Sequence, residues 1–264
     1  MEAQMASMGS EGMSAQPSAS YELTQVCLLA GKIMLQCGGE TYRVEDTMMR
    51  IAAAYGYENS HSFVTPTGII FAIDGSGTAT QLFRIGERST DLKKVALVNN
   101  ISRRISGDGL PAAEALRLLQ RIDKSRLVYP LWLQITAATV SSGCFAIMFR
   151  GGWPELVPAM LAGGIGFSLL LYVHGLVRIK FFAEFLASIA IGTVSYLCVT
   201  YGLGRDLDKI TIGSVMPLVP GLLITNAVRD LMAGHLVSGI SKGAEAFLTA
   251  FAIGAGIACV LSIG

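Results

Sequence analysis

Residues 131 to 264 hold five apolar blocks long enough to cross a membrane, and this limits the fold more than any other feature of the chain. The blocks run from Leu131 to Phe149, Pro154 to Leu176, Phe181 to Tyr201, Ile210 to about Val228, and Ala244 to Ile263. A helix rises 1.5 Å per residue, so about 20 residues cover the hydrocarbon core of a bilayer. Only 15% of the residues are charged, against about a quarter in soluble domains, and the shortage is confined to this half. The net charge of +1 offers no basic footprint for nucleic acid.

The first half reads as a small domain of mixed structure. Residues 1–20, rich in Met, Ser, Ala and Gly, lack the basic region and apolar core of a signal peptide and are expected to be a disordered tail. From Tyr21, Leu23, Val26, Cys27, Ala30, Ile33, Met34 and Cys37 recur at three- and four-residue steps, an amphipathic helix stopped by Gly38-Gly39. A second helix starts near Thr41, with Val44, Met48, Ile51 and Tyr55 inward, and Glu40, Glu45 and Asp46 suit the positive end of its dipole. The period then falls to two in Phe63–Thr65, Ile69–Ile73 and Gln81–Ile85, separated by Pro66, Gly68 and the turn Asp74-Gly75-Ser76-Gly77. The last two strands suit a hairpin. Asp91 is a fitting N-cap for a third helix, and Pro111 a first-turn proline for a fourth. The expected architecture is an α-helical integral membrane protein with about five spans, preceded by a small α+β cytoplasmic domain. The expected divisions are 1–20, 21–127 and 128–264.

Orientation follows from the positive residues. Arg103, Arg104, Arg117, Arg121, Lys124 and Arg126 precede the first block, Arg178 and Lys180 lie in the second connection, and Arg229 and Lys242 in the fourth. The other side has Arg150, Arg205 and Lys209. The bias places the head in the cytoplasm and the C-terminus outside, in a multi-pass protein of the cytoplasmic (inner) membrane. An odd number of spans leaves the ends on opposite sides. A second such unit then gives the inverted repeat of many secondary transporters, so this chain reads as half of an assembly within the lipid bilayer.

Met216 to Gly239, MPLVPGLLITNAVRDLMAGHLVSG, breaks the pattern. Pro217, Pro220 and Gly221 interrupt an apolar helix, and each proline removes a backbone donor. Asn226, Arg229, Asp230 and His235 follow directly. A broken span next to polar groups is one way to build a solute site in a membrane, and a simple kink is the other reading. Asp230 with Arg229 or Lys242 reads either as a gate or as a solvated cytoplasmic cluster. Glu184 lies four residues after Lys180, which suits an interfacial ion pair or a buried functional carboxylate.

The motifs of nucleotide, dinucleotide and hydrolase chemistry are missing: no Walker A loop, dinucleotide fingerprint, HExxH or GxSxG. Cys27, Cys37, Cys144, Cys198 and Cys259 lack metal-ligand spacing and read as small buried hydrophobes. His61, His174 and His235 are far apart. No metal or cofactor is expected, and no enzymatic activity. Transport would run on an ion gradient or on the solute's own. The competing reading is a membrane-anchored cytoplasmic enzyme or sensor whose spans only anchor and oligomerise.

Cys37-Gly-Gly-Glu-Thr-Tyr-Arg-Val-Glu45 resembles the opening segment of the threonine/serine exporter family. Leu218-Val-Pro-Gly221, Asn226-Ala-Val-Arg-Asp230 and Gly234-His235 are similar to the corresponding region of its half-length, YjjP-type members. Tyr129-Pro-Leu-Trp132 and Gly151-Gly-Trp153 fit the same group, so the resemblance covers about residues 21 to 263. It implies an exporter of a small carboxylate, either threonine and serine or succinate, working with a second membrane subunit of the YjjB type. A higher oligomer is compatible with it. By position Pro220, Gly221, Asn226, Asp230, Gly234 and His235 match its membrane motif. The broken-span reading, separately, expects a solute site at Pro217, Pro220, Gly221 and Asn226, with Asp230, His235 and Glu184 as gate or proton-coupling groups. Glu40, Arg43 and Glu45 form the head motif, for which helix capping and surface pairing compete with gating or subunit docking.

Overall fold

The computed structural model describes residues 21–74, 79–86, 88–125, 129–177 and 179–262. The expected tail and most of the turn after Asp74 lie outside the described residues. In chain order the helices are α1 (21–36), α2 (Thr41–Ala54), α3 (Leu92–Asp108), α4 (Ala112–Lys124), α5 (Leu131–Met148), α6 (Trp153–Val177), α7 (Lys180–Thr200), α8 (Leu207–Val215), α9 (Gly221–Met232) and α10 (Leu236–Leu261). Strands β1 (Ser60–Thr65), β2 (Gly68–Ile73) and β3 (Gln81–Arg84) fall between α2 and α3, and a 3-10 turn, Met216–Leu218, follows α8. Two compact units result: Met1–Val128 with Thr225–Lys242, and Tyr129–Ile224 with Gly243–Gly264.

In the first unit the helical stripe of α1 and the alternating faces of the sheet meet in one core. Val26, Cys27, Met34, Val44, Met48, Ile51, Ile69, Phe71, Val98 and Leu119 are buried there. The sheet is antiparallel in the order β1-β2-β3, with Phe63 opposite Ile70 and Ile70 opposite Leu82. Period two then puts Val64, Ile69, Phe71 and Ile73 inward, as the alternation requires. Asp91 caps α3 through a bond from the Lys94 amide (3.2 Å). Pro111 stands at the N-cap of α4, one residue earlier than a first-turn proline. Glu45 and Asp46 lie beyond the first turn of α2, where the dipole acts weakly. Burial pushes the Cys27 thiol far up, so it behaves as a small hydrophobe.

The second unit is a helical bundle. Helices α5, α6, α7 and α10 are each long and apolar enough to cross a membrane, and α8 with α9 makes a fifth candidate bent by 63°. The chain is therefore mostly helical, with four or five candidate spans and one small antiparallel sheet among the described residues. The break falls where the two prolines require it: Pro217 sits in the 3-10 turn, Val219 is extended, and α9 starts at Gly221. Small residues allow close packing. A Cβ on Gly213 would lie 2.7 Å from the Ala146 Cα, and one on Gly256 would lie 2.6 Å from the Phe185 carbonyl oxygen. A Cβ on Gly254 would meet nothing within 4 Å, so this glycine does not serve that purpose. Cys144 and Cys259 are exposed on their helices, against the expectation that every cysteine is buried.

Candidate functional site

The polar groups of the first unit converge on the N-terminus of α2. A helix start leaves backbone N–H groups without partners, and a negative charge is favoured there. Glu40 occupies the N-cap position, yet its side chain makes no capping bond. Asp230, from α9, takes that role. Its Oδ1 accepts from the Thr41 amide (2.9 Å) and its Oδ2 from the Thr41 hydroxyl (2.9 Å).

Lys242, two turns into α10, closes the cluster. Its Nζ lies 2.7 Å from Asp230 Oδ2 and donates to Thr41 Oγ1 at 3.1 Å. Asp230 and Thr41 are 0% exposed and Lys242 is 4% exposed. This is a buried ion pair with both carboxylate oxygens engaged. Two desolvated charges are tolerated only with such geometry. The reading of Asp230 as part of a solvated cluster is overturned by this burial.

A second layer surrounds it. Gly38 turns the chain between α1 and α2 with φ +92°, a conformation that favours glycine, and its carbonyl accepts from Asn226 Nδ2 at 2.9 Å. Glu40, itself buried, accepts from Arg229 and from Arg43 (3.1 Å). Burial raises the Glu40 carboxyl, but its own amide and the two guanidiniums outweigh that and hold it below the usual carboxylate range. Glu45 accepts from the Val64 amide (2.8 Å) and stands 3.7 Å from His235 Nδ1. Burial lifts its carboxyl above the usual range, against the opposing pull of the amide and His235. Surface pairing therefore describes Arg43, at 40% side-chain exposure, but neither glutamate.

Gly234 ends α9 with φ +87°, and the His235 amide bonds back to the Asp230 carbonyl (2.9 Å). This turn redirects the chain so that α9 and α10 both face Thr41. Ser238 reaches the Val64 carbonyl (3.3 Å) beside it. Phe63, Val64 and Gly234 to Ser238 line a small open cavity.

The other expected site residues lie in the second unit. Pro217, Pro220 and Gly221 form the break, with the Gly221 amide donating to Val219 O (2.8 Å) and the Ile224 amide to Pro220 O (3.0 Å). A Cβ on Gly221 would meet nothing within 4 Å, so the first turn of α9 is uncrowded. Glu184 is buried at 5% exposure and lies 4.0 Å from Lys180. The fold therefore groups Asn226, Asp230 and His235 with Glu40, Arg43 and Glu45, while Glu184 and the prolines stand elsewhere.

Sequence reasoning misses or underweights three contributors: Thr41, Ser238 and the Gly38 carbonyl. Thr41 stands out only as a helix start, although a threonine between two glutamate-bearing positions is a candidate acceptor and donor. Lys242 carries a better signal, since the sequence already offers it, in the fourth connection, as a partner for Asp230. Among the described residues no three His, Cys, Asp or Glu side chains are grouped as metal ligands.

Fold and site together define a multi-pass helical membrane protein in which Thr41, at the start of α2, is hydrogen-bonded to a buried Asp230–Lys242 ion pair on the helices that follow the bend. A family model described as "Putative threonine/serine exporter" (ThrE) matches residues 25–264, and the chain belongs to that family. It is 25% identical to the "Probable succinate transporter subunit YjjP" of Klebsiella aerogenes, over 95% of this chain and 97% of that one. The protein of the same description from Escherichia coli K12 is 26% identical over 91% of this chain and 94% of its own length. The "Probable threonine/serine exporter" of Mycobacterium tuberculosis is 24% identical over 83% of this chain, which covers 42% of that longer protein. These relatives are named as transporters and exporters, not as enzymes. No solved structure matches the chain.

Proposed function

We propose that the chain is one subunit of a secondary exporter that moves a small carboxylate, a dicarboxylate such as succinate or a hydroxyl amino acid, out across the cytoplasmic membrane. The observation that carries this reading is the buried Thr41–Asp230–Lys242 cluster in a chain of the exporter family. A domain that served only as a passenger on its anchor would need no buried hydrogen bonds from its Thr41 to an ion pair on α9 and α10. The near full-length match to relatives named as a transporter subunit supports a second membrane subunit, of the YjjB type, as partner. The excess of Lys and Arg before α5 and between α6 and α7 supports a cytoplasmic head and an external C-terminus.

In this reading the backbone groups at the break, around Pro217 to Gly221, meet the solute. The amides at the start of α9 carry partial positive charge, which suits a carboxylate. Asn226 donates to the Gly38 carbonyl, and this reading gives it the part of holding α9. Asp230 with Lys242, and His235 with Glu45, form the inner latch that sets where α9 lies. Expression of the chain with its companion subunit in cells lacking endogenous exporters tests this. External succinate, threonine or serine should rise at the expense of the internal pool only when both subunits are present. Unchanged pools for all three solutes would sink the proposal.

A further inference from the structure

A second buried acidic site lies in the bundle, at the start of α7. Glu184 is 5% exposed. Its Oε1 accepts only a long bond from Thr249 on α10 (3.4 Å), and its Oε2 has no hydrogen-bond partner among the described residues. Lys180, one turn earlier, stands 4.0 Å from Glu184 Oε1 but 3.0 Å from Oε1 of Glu245 on α10. Two carboxylates thus share one ammonium, and the ammonium is bonded to the more exposed of them. His174, at the end of α6, is the other titratable group acting on Glu184, and Ser188 donates to the Glu184 carbonyl (2.8 Å) and not to its carboxylate. The contrast is Glu155, equally buried in α6, whose two oxygens accept the amides of Gly152 (2.7 Å) and Arg205 (3.3 Å). Glu155 is held as a structural anion; Glu184 is not.

An ionised carboxylate in a membrane helix needs a partner, and leaving one of its oxygens buried without one is costly. Protonation removes the charge and leaves the Thr249 bond and the Lys180–Glu245 pair in place. We propose that Glu184 is a proton-binding site of the bundle: Glu245 and Lys180 pair as ions while Glu184 carries the proton, and release of that proton draws Lys180 across from Glu245 to Glu184. The change is Glu184–COOH to Glu184–COO⁻ plus H⁺, with Lys180 ionised throughout. This rests on the exporter reading only for its use, as the site through which a proton gradient acts; the site itself is a property of the chain.

The test is infrared difference spectroscopy of the full chain in liposomes, following the C=O stretch of protonated carboxyl groups between acid and neutral pH. At neutral pH the wild type should show a protonated-carboxyl band that is lost in Glu184→Gln. It should also be lost in Glu245→Gln, where Lys180 is released to pair with Glu184 and ionise it. Lys180→Met should keep it. A neutral-pH spectrum unchanged by Glu184→Gln overturns the site, and so does a band that survives Glu245→Gln. Where Glu184→Gln fails to fold, Glu184→Asp replaces it: the protonated-carboxyl band should persist at a shifted frequency, and an unshifted band overturns the site. A band that behaves as stated in a chain that transports nothing would leave the proton site standing and remove the exporter reading instead.

Discussion

Asp230→Asn is the perturbation whose outcome follows most directly from the geometry. The substitution keeps size and shape and removes one charge. An amide can still accept from the Thr41 amide through Oδ1, but its NH2 group then points at the Lys242 ammonium and the Thr41 hydroxyl, where Oδ2 had accepted from both. Lys242, at 4% exposure, is left with a buried charge and no counter-ion. Removing one member of a buried pair costs about 3–5 kcal/mol. At about 1.4 kcal/mol per factor of ten, opening of the cluster becomes roughly a hundred to a few thousand times more frequent. Hydrogen exchange at the first turn of α2, Thr41 to Val44, reads this directly, because the Thr41 amide is bonded to Asp230 and the Val44 amide to the Glu40 carbonyl (3.1 Å). Adding Lys242→Met should restore part of the protection, since two neutral side chains leave no orphaned charge. Exchange within threefold of wild type in Asp230→Asn, or a double variant weaker than the single one, would refute the buried pair.

Three further outcomes follow. Arg229→Ala removes one of the guanidiniums that hold the Glu40 carboxyl low. Stability from Glu40 is present above the ordinary carboxylate range and lost as pH falls through its depressed value, so acid unfolding of the variant should begin at higher pH than in wild type. Glu45 has the opposite sign. Its raised carboxyl favours the folded state most below the ordinary range and progressively less as pH rises through its folded value, so Glu45→Gln should flatten that decline in a pH series of melting curves. Gly213→Ala should disrupt the bundle, because the new methyl would sit 2.7 Å from the Ala146 backbone; a drop in melting temperature and in folded yield is expected, whereas Gly254→Ala, with nothing within 4 Å, should match wild type.

The spans are legible in the sequence because their signal is one-dimensional: length and lack of charge suffice, and α5, α6 and α7 lie where the apolar blocks do, whereas α10 starts at Leu236, ahead of the expected Ala244, and takes in Lys242. The strands are legible for a similar reason, since Phe71 and Ile73 must share a face once the period is two. The break at Pro217 and Pro220 is local chemistry and can be read directly. The cluster cannot. Thr41 and Asp230 are 189 positions apart, and no periodicity connects them. Glu40 precedes a helix start and so attracts the capping role, when the group that satisfies α2 comes from α9. Burial is hidden in the same places. Asp230 and Glu184 are acidic residues near the ends of apolar runs, where solvation is the ordinary outcome, and only packing reveals that both are buried.

Counterflow of labelled succinate or threonine into liposomes holding the chain and its companion subunit tests the central claim most directly, with wild type and Asp230→Asn compared side by side. The account predicts saturable uptake that requires both subunits and falls at least tenfold in Asp230→Asn. Uptake by Asp230→Asn at the wild-type rate, or none by the wild-type pair with succinate, threonine or serine, would contradict it.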